Sequence, residues 1–219
     1  FLMFGVAEDH DSNPLKLGLS HLKERGAKFV SVNPVRTGYS AIADEWVGIR
    51  PGTDGLLVLA LVHELLRTDR VDGEFLARYG LTAERLALAA WLIVRDPGGA
   101  DDGLVARDAD GKPLAWDRAR GAADAASPDL SPVLAGDFTL PDGRRVRPVF
   151  HLMAERYLGA EYAPGAVAER CGVPAERIRR LATEIAHVAF EQPVVVEQPW
   201  TDTYGRRHGR MVGRPVSFH

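Results

Sequence analysis

The stretch from Ala27 to Thr68 constrains the fold more than any other part of the chain. It reads as a short apolar strand, a turn marked by Pro34, a second short strand, a Gly-Thr-Asp turn and a long apolar helix. Ahead of it, Phe1–Val6 is another apolar run, and Asn13-Pro14 is typical of the start of a helix. A strand, a helix and a strand in this order predict a βαβ unit with parallel strands.

Polar and small residues follow the two strands of this stretch, at the positions where an open α/β sheet binds its ligands. They are Asn33, Arg36, Thr37, Gly52, Thr53 and Asp54. A carboxylate there can accept two N–H bonds from guanine, whereas adenine lacks the N1–H and 2-amino donors. We therefore predict a nucleotide-bearing ligand at these turns. The alternative is that Asp54 only caps the helix that follows it.

The first strand–helix turn does not carry the dinucleotide fingerprint G-x-G-x-x-G. Its sequence, G-V-A-E-D-H-D-S-N-P, contains a single glycine, Gly5, so we do not predict a standard NAD or FAD site. The backbone cannot approach a pyrophosphate as closely as three glycines would permit. A ligand can still meet the start of the helix through Asp11, Ser12 or backbone N–H groups.

Catalytic and metal sites have little support in the residues themselves. Asp9, His10 and Ser12 lie together without a G-x-S-x-G motif, and such a loop cluster usually caps a helix. His208 and His219 have the wrong spacing for a helical metal pair, and no third ligand lies near them in the sequence. We therefore predict neither catalytic residues nor metal ligands within this chain.

Charge and cysteine content narrow the possible partners. The net charge of -3 gives no electrostatic reason to expect nucleic acid or an anionic membrane. No apolar run approaches the roughly 20 residues that a membrane helix needs. The single cysteine, Cys171, excludes an internal disulfide and a cysteine-only cluster within the chain. The basic end of the chain suits an anion, with a solvated linker as the alternative: Arg206, Arg207, Arg210 and Arg214.

We predict an α/β fold, with a Rossmann-like open, mainly parallel sheet, helices on both faces and a β-hairpin-rich insertion. Residues 1–90 are the first part of the α/β domain, 91–148 the insertion and 149–219 the second part. Within the insertion, Asp110-Gly111 and Asp142-Gly143 are typical of hairpin turns. The Ala/Asp/Ser/Pro-rich middle of the insertion, from Arg118 to Pro132, is predicted as a surface loop.

The second part of the α/β domain contains the clearest helical pattern. Pro174 to Ala189 begins with proline and places its apolar residues on one face, which predicts a helix. Beyond it, the run P-V-V-V-E from Pro193 to Glu197 is apolar without alternation. Such a run is typical of a strand that is covered on both faces, so we predict a buried strand there.

The run from Gly26 to Leu66 resembles the catalytic subunits of molybdopterin oxidoreductases, the dimethyl sulfoxide reductase superfamily. The matching segments are the strand, N-P-V-R-T, A-D-E-W and R-P-G-T-D-G-L. Cys171 to Ala186 resembles the helix that precedes the family's next parallel strand. The end of the chain, P-W-T-D-T-Y-G-R-R-H-G-R-M-V-G-R-P-V-S-F-H, is similar to pterin-region segments of members close to the thiosulfate and polysulfide reductases.

The resemblance implies a role for each predicted site residue, with bis-(molybdopterin guanine dinucleotide) molybdenum as the cofactor. The residues after the two strands would hold the guanosine end of one dinucleotide. Gly5, Asp11 and Ser12 would lie along its diphosphate, and Trp200 and Thr201 would approach a pterin. The match is not complete, because Val35 stands where many members have Arg and Asn33 replaces the common Asp.

The resemblance also implies that this chain is an internal fragment of a molybdenum-dependent oxidoreductase. The family's molybdenum ligand and its cysteine cluster precede a strand like Phe1–Val6, and the sequence opens without an initiator Met. Two-electron chemistry would therefore occur at molybdenum held outside this chain, which alone would be inactive. The expected partners are the remaining domains of the same polypeptide, which would carry an iron–sulfur cluster, and an iron–sulfur electron-transfer subunit.

Two other functions remain open from the sequence. The chain could be a nucleotide-binding α/β module without a redox role, or a structural domain whose turn residues only cap helices. Selective binding of guanine nucleotides would separate the structural domain from the molybdenum-enzyme fragment and the nucleotide-binding module. The compartment, bacterial cytoplasm or periplasm, would be decided by a signal outside this stretch.

Overall fold

The computed structural model describes residues 1–5, 13–36, 38–78, 88–125, 127, 130–202, 205 and 207–219. The chain divides into two compact units. Unit 1 consists of Phe1–Arg70, Leu158–Pro199 and Gly209–His219, and unit 2 of Val71–Tyr157 and Trp200–His208. The domain boundaries at 90 and 148 that the sequence suggested stay a prediction.

The described residues form short strands and seven α-helices. The strands are β1 (Leu2–Phe4), β2 (Val30–Val32), β3 (Glu45–Val47), β4 (Leu92–Val94), β5 (Leu114–Asp117), β6 (Ala122–Ala125), β7 (Phe138–Thr139), β8 (Arg145–Pro148), β9 (Val194–Val196), β10 (Trp200–Thr201), β11 (Arg207–His208) and β12 (Met211–Gly213). The helices are α1 (Asn13–Glu24), α2 (Tyr39–Ile42), α3 (Asp54–Arg67), α4 (Gly73–Arg78), α5 (Val149–Tyr157), α6 (Pro164–Cys171) and α7 (Ala175–Glu191), with 3-10 turns at Leu88–Ala90 and Ala160–Tyr162.

Unit 1 contains the predicted βαβ unit. β1 pairs with β2 and β2 with β3, both in parallel, and the spatial order is β1-β2-β3. Alternate residues of the strands enter two separate cores, as strand geometry requires. Leu2, Val30 and Val47 pack into one core with residues of α3, α6 and α7. Met3 packs into the other with Leu19 of α1.

The mixed α/β class is confirmed, but the Rossmann-like open sheet is not. The parallel sheet has three strands, and the other sheets among the described residues are antiparallel. At the other edge of β1, Leu2 forms a parallel bridge with Phe218. The amide of Phe4 donates to the carbonyl of His219 at 2.7 Å, so the end of the chain lies beside β1.

The long helices of unit 1 form as their sequence patterns predict. α7 buries Ile178, Leu181, Ala182 and Ile185, which recur at helical spacing along one face. α3 buries Leu57, Ala60 and Leu61, and its His63 is also buried, at 7% exposure. The apolar side chains of the two helices join one core, and each fully buried Leu or Ile contributes about 1.5–3 kcal/mol relative to exposure.

Unit 2 has its own core and is built from antiparallel strands. β4, β8 and β7 form one sheet, and β5 pairs with β6 in a hairpin. Leu92, Val94 and Val146 lie in the core of this unit. The Gly143 turn joins β7 to β8, which confirms that hairpin. At Gly111 the chain also turns, because the amide of Asp108 donates to the carbonyl of Lys112.

Two predictions about strands were wrong. The surface loop predicted up to Pro132 contains β6, whose Ala-Ala-Asp-Ala sequence has low strand propensity and gave no signal. The run from Pro193 to Glu197 forms β9, but its valines are 43–50% exposed. β9 pairs only with β12 in a two-stranded sheet of the described residues, so its faces are not covered. None of the helices in the described part of the chain has the length and hydropathy to span a bilayer.

Candidate functional site

The three parallel strands of unit 1 end side by side. Phe4 lies opposite Val32, and Val32 lies opposite Val47. Just beyond these positions, the amide of Gly5 donates to the carbonyl of Val32 (3.0 Å) and the amide of Asn33 donates to the carbonyl of Val47 (3.1 Å). Gly5 and Asn33 are therefore brought together at the carboxyl edge of the sheet, which is where α/β sheets bind ligands.

The turn after β2 is held in a fixed shape by its own first residue. The Oδ1 of Asn33 accepts a bond from the amide of Val35 at 3.2 Å, which is an Asx turn. The carbonyl of Asn33 accepts a bond from the indole Nε1 of Trp46 at 2.8 Å. Arg36 is exposed at the same turn, while Thr37 lies outside the described residues.

The turn after β3 leads directly into α3. Gly52 has a φ of +75°, a conformation that favours glycine. Thr53 occupies the N-cap position of α3, but its hydroxyl donates to the carbonyl of Arg50 (2.6 Å) and makes no capping bond to the helix. Backbone N–H groups in the first turn of a helix have no partner within the helix, so an uncapped start favours an anion or an acceptor atom.

Asp54 is the first residue of α3, so the alternative that it is the N-cap is wrong. Its Oδ1 is buried and has no hydrogen-bond partner. A buried acceptor without a partner costs about 1–3 kcal/mol, and more when it is charged. The charge of Asp54 suits the positive end of the helix dipole, but the dipole does not supply the missing donor. The carboxylate can therefore accept hydrogen bonds from donors outside the described chain.

Within the described residues, one other buried side-chain atom also lacks a hydrogen-bond partner, the Nε1 of Trp91. Trp91 belongs to unit 2, and it is a donor where Asp54 is an acceptor. No group of three or more His, Cys, Asp or Glu among the described side chains is arranged to hold a metal ion. The edge carries groups that can form hydrogen bonds, among them the carboxylate of Asp54 and the backbone N–H groups at the start of α3.

Two supporting residues were missed by reasoning from the sequence. Arg50 binds the C-terminal end of α6: its Nη1 donates to the carbonyl of Glu169 at 2.7 Å, and its amide donates to the carbonyl of Cys171 at 2.9 Å. Trp46 covers Gly48, where an added Cβ would lie 2.9 Å from the indole Cη2. For the contact between Trp46 and Gly48, the available sequence signal was a glycine two positions after a tryptophan.

Of the remaining predicted site residues, two lie outside the described part of the chain and two belong to unit 2. Asp11 and Ser12 lie outside the described residues, as do Asp9 and His10. Trp200 and Thr201 form β10 and belong to unit 2. There, the ring of Trp200 stacks on His208 with 4.7 Å between ring centroids. The Nε2 of His208 lies 3.0 Å from the Oδ2 of Asp202.

Ion pairs of unit 1 cluster at the opposite end of the strands. Glu45 begins β3 and pairs with Arg180 of α7 and with Lys28, whose Nζ is 3.1 Å from its Oε2. Glu184 of α7 pairs with the same two cations, at 2.7 Å from Lys28 and 2.6 Å from Arg180. Burial alone would raise the pKa of Glu45, but the hydrogen bonds from Arg180 and Lys28 outweigh it and lower that pKa.

Comparison with known proteins identifies relatives of this chain. No protein-family model matches it. A sulfite dehydrogenase subunit of Allochromatium vinosum is 44% identical over 100% of this chain, which covers 23% of that protein. The molybdopterin-containing subunit PhsA of Salmonella typhimurium thiosulfate reductase is 38% identical over 38% of this chain and 10% of that protein.

A solved structure also aligns with this chain. The acetylene hydratase from Pelobacter acetylenicus gives a TM-score of 0.48 at 20% identity, over 88% of this chain and 17% of that chain. The chain thus spans about a quarter or less of the length of the proteins it matches. The resemblance seen in the sequence is confirmed: the homologues of this chain are molybdopterin oxidoreductases, and it corresponds to one segment of them.

Proposed function

We propose that this chain binds the guanine dinucleotide part of a bis-(molybdopterin guanine dinucleotide) cofactor. The observation that carries the proposal is the buried Oδ1 of Asp54, which has no partner at the uncapped start of α3. Guanine presents two adjacent donors, N1–H and the 2-amino group, and a carboxylate can accept both. The homology to molybdopterin oxidoreductases supports a ligand of this kind.

Other residues of the edge would hold the rest of the nucleotide. Asn33 and Arg36, with Thr37, Gly52 and Thr53, would surround the guanosine. Gly5, Asp11 and Ser12 would line the diphosphate, and Trp200 and Thr201 would contact a pterin. When bound, the cofactor supplies two-electron redox chemistry at molybdenum, while this chain supplies binding and orientation.

The Rossmann-like arrangement is part of the proposal. The end of the chain, at Phe218, lies on the opposite side of β1 from β2, so the spatial order begins β3-β2-β1 and continues with the terminal segment. In doubly wound sheets, ligands bind where the strand order reverses direction, beside the first strand. In this chain that position is the end of β1, next to Gly5.

The whole protein would be a molybdenum-dependent oxidoreductase. We propose that its molybdenum ligand and an iron–sulfur cluster lie in the remaining domains of the polypeptide, and that an iron–sulfur protein exchanges electrons with it. Both relatives are subunits of larger enzymes, which supports an assembly of several chains. The substrate would be bound by several domains, of which this chain forms one wall.

The proposal is tested by changing only the acceptor pattern of Asp54. Asp54→Asn keeps the shape of the side chain but replaces one acceptor oxygen with a donor, so we expect GDP affinity to fall about 10- to 100-fold with ADP affinity unchanged. Isothermal titration calorimetry of both nucleotides gives the two affinities. Asp69→Asn makes the same change at the exposed far end of α3 and is the matched control.

Two results would contradict the proposal. Unchanged GDP affinity in Asp54→Asn would show that this carboxylate does not bind the base. Equal binding of GDP and ADP by the wild-type chain would favour the alternative, a nucleotide-binding module without a redox role.

A further inference from the structure

Arg50, the first residue of the R-P-G-T-D turn, donates its hydrogen bonds to α6 and not to the described residues of the turn after β2. Its Nη1 donates to the carbonyls of Glu169 (2.7 Å) and Arg170 (3.3 Å), and its amide donates to the carbonyl of Cys171 (2.9 Å). These carbonyls belong to the last turn of α6, where a helix leaves its acceptors without partners. A cation is also favoured there by the helix dipole.

The same residue holds the next turn through its own carbonyl. That oxygen accepts a bond from the hydroxyl of Thr53 at 2.6 Å and a second from the amide of Thr53 at 3.3 Å. Asp54 follows immediately as the first residue of α3. Arg50 is thus bonded on one side to α6 and on the other to the residue that precedes the carboxylate.

We propose that Arg50 is a positioning residue for base recognition, which fixes the place of the Asp54 carboxylate by attaching its turn to α6. The inference rests on the proposed function, because it explains how the guanine acceptor is held. α6 is a firm support, since Val167 and Cys171 are fully buried in the core of unit 1. The attachment joins parts of the chain that lie about 120 residues apart.

Gly172 lies beside this attachment. It ends α6 in the left-handed conformation, with a φ of +78°, and its amide donates back to the carbonyl of Ala168. A Cβ at this position would lie 3.4 Å from the Cγ and 3.6 Å from the Nε of Arg50. These are ordinary van der Waals distances, so the cost of a side chain at this position is backbone strain at the end of α6, beside the arginine.

A residue that only stabilises the fold would weaken the binding of GDP and ADP together, through loss of folded protein. A residue that positions the guanine acceptor changes the ratio of the two affinities. Misplacement of a recognising group by about 1 Å is enough to reduce its effect by up to about 100-fold. The ratio of GDP affinity to ADP affinity therefore separates the two roles.

The test compares four variants of the chain by calorimetric titration with GDP and with ADP. We expect Arg50→Ala to lower the GDP-to-ADP affinity ratio about tenfold or more, and Gly172→Ala to lower it in the same direction. Arg50→Lys keeps a charge that can reach the α6 carbonyls and should restore part of the ratio. Arg25→Ala removes an exposed arginine side chain outside the R-P-G-T-D turn and α6, and should leave the ratio unchanged.

A second measurement does not depend on any ligand. Hydrogen exchange of the amides from Gly52 to Leu57 should accelerate in Arg50→Ala but not in Arg25→Ala, because only the first variant removes the attachment of the turn. If the wild-type chain does not select GDP, the proposed function fails, and the exchange rates alone decide whether Arg50 positions the turn. An unchanged ratio in folded Arg50→Ala, or unchanged exchange, overturns the inference.

Discussion

Gly48 of unit 1 lies directly beneath the side chain of Trp46. The indole of Trp46 lies over Gly48, and its Nε1 donates to the carbonyl of Asn33 at 2.8 Å. The ring therefore connects the turn after β2 to the chain that follows β3. Because a Cβ at position 48 would lie 2.9 Å from the ring, alanine there must displace the indole or the backbone.

Gly48→Ala should lower the free energy of unfolding by about 1–3 kcal/mol, the usual cost of adding volume to a packed site. Urea denaturation monitored by circular dichroism measures this change. Gly18→Ala is the control, because Gly18 lies within α1 and a Cβ there meets nothing within 4 Å. That variant should instead be stabilised by about 0.5–1 kcal/mol, since alanine favours a helix interior. Equal effects in the two variants would contradict the packing argument.

At the scale of elements, a network of ion pairs joins β3 to α7. Glu45 at the start of β3 and Glu184 of α7 share Lys28 and Arg180. Burial would raise the pKa of Glu184, but the hydrogen bonds from Lys28 and Arg180 outweigh it and lower that pKa, as they do for Glu45. Burial would lower the pKa of Lys28, but its bonds to the two carboxylates outweigh that effect and raise it.

The lowered carboxylate pKa values predict the dependence of stability on pH. A group whose folded pKa lies below its ordinary value of 4.5 stabilises the fold above that pH, and this contribution is lost as pH falls through the folded pKa. Glu45→Gln should therefore reduce stability by about 0.5–1 kcal/mol at pH 7 and flatten its decline below about pH 4.5. Urea titrations from pH 7 to pH 3 measure both effects.

Glu161→Gln provides the comparison for this pH dependence. Glu161 is exposed and lies outside the network, so its replacement should leave the stability at pH 7 and the acid limb of the curve close to wild type. An equally steep acid limb in Glu45→Gln and wild type would show that the network does not stabilise the folded state.

At the scale of the whole molecule, the core of unit 1 is assembled from distant parts of the chain. Val47 and Leu57 from the first segment share a core with Ile178 and Leu181 from the second. Ile178→Ala should lower the free energy of unfolding by about 2–5 kcal/mol, because Ile178 is fully buried. The side chain of Val58 on α3 is 39% exposed, so Val58→Ala should lower the free energy of unfolding much less. Chemical denaturation measures both, and similar losses would contradict this account of the core.

Local sequence patterns predicted the elements whose signals are complete within one stretch. The apolar run at β1, the proline-started α7 and the Gly143 hairpin all formed close to their predicted positions. The role of Arg50 was not predictable, because its partners on α6 lie about 120 residues away and are backbone carbonyls without a sequence signature. For β9, three consecutive valines indicated that both faces of the strand would be buried. The local pattern could not show whether other described residues pack on those faces, and the valines are exposed.

The candidate site was predictable in the same partial way. The sequence placed polar groups after two parallel strands, and the strand register then aligned Gly5 with Asn33 at one edge. It could not distinguish a capping Asp54 from a ligand-binding one, because both explanations use the same residue at the same helix start. The hydrogen bond that the buried oxygen lacks favours the ligand-binding explanation.

Calorimetric titration of the wild-type chain with GDP and with ADP tests the central claim most directly. The account predicts that GDP binds and that ADP binds at least about tenfold more weakly, since adenine lacks the donors that Asp54 accepts. Equal affinity for the two nucleotides, or no binding of GDP, would contradict the claim that the turns after β2 and β3 recognise guanine.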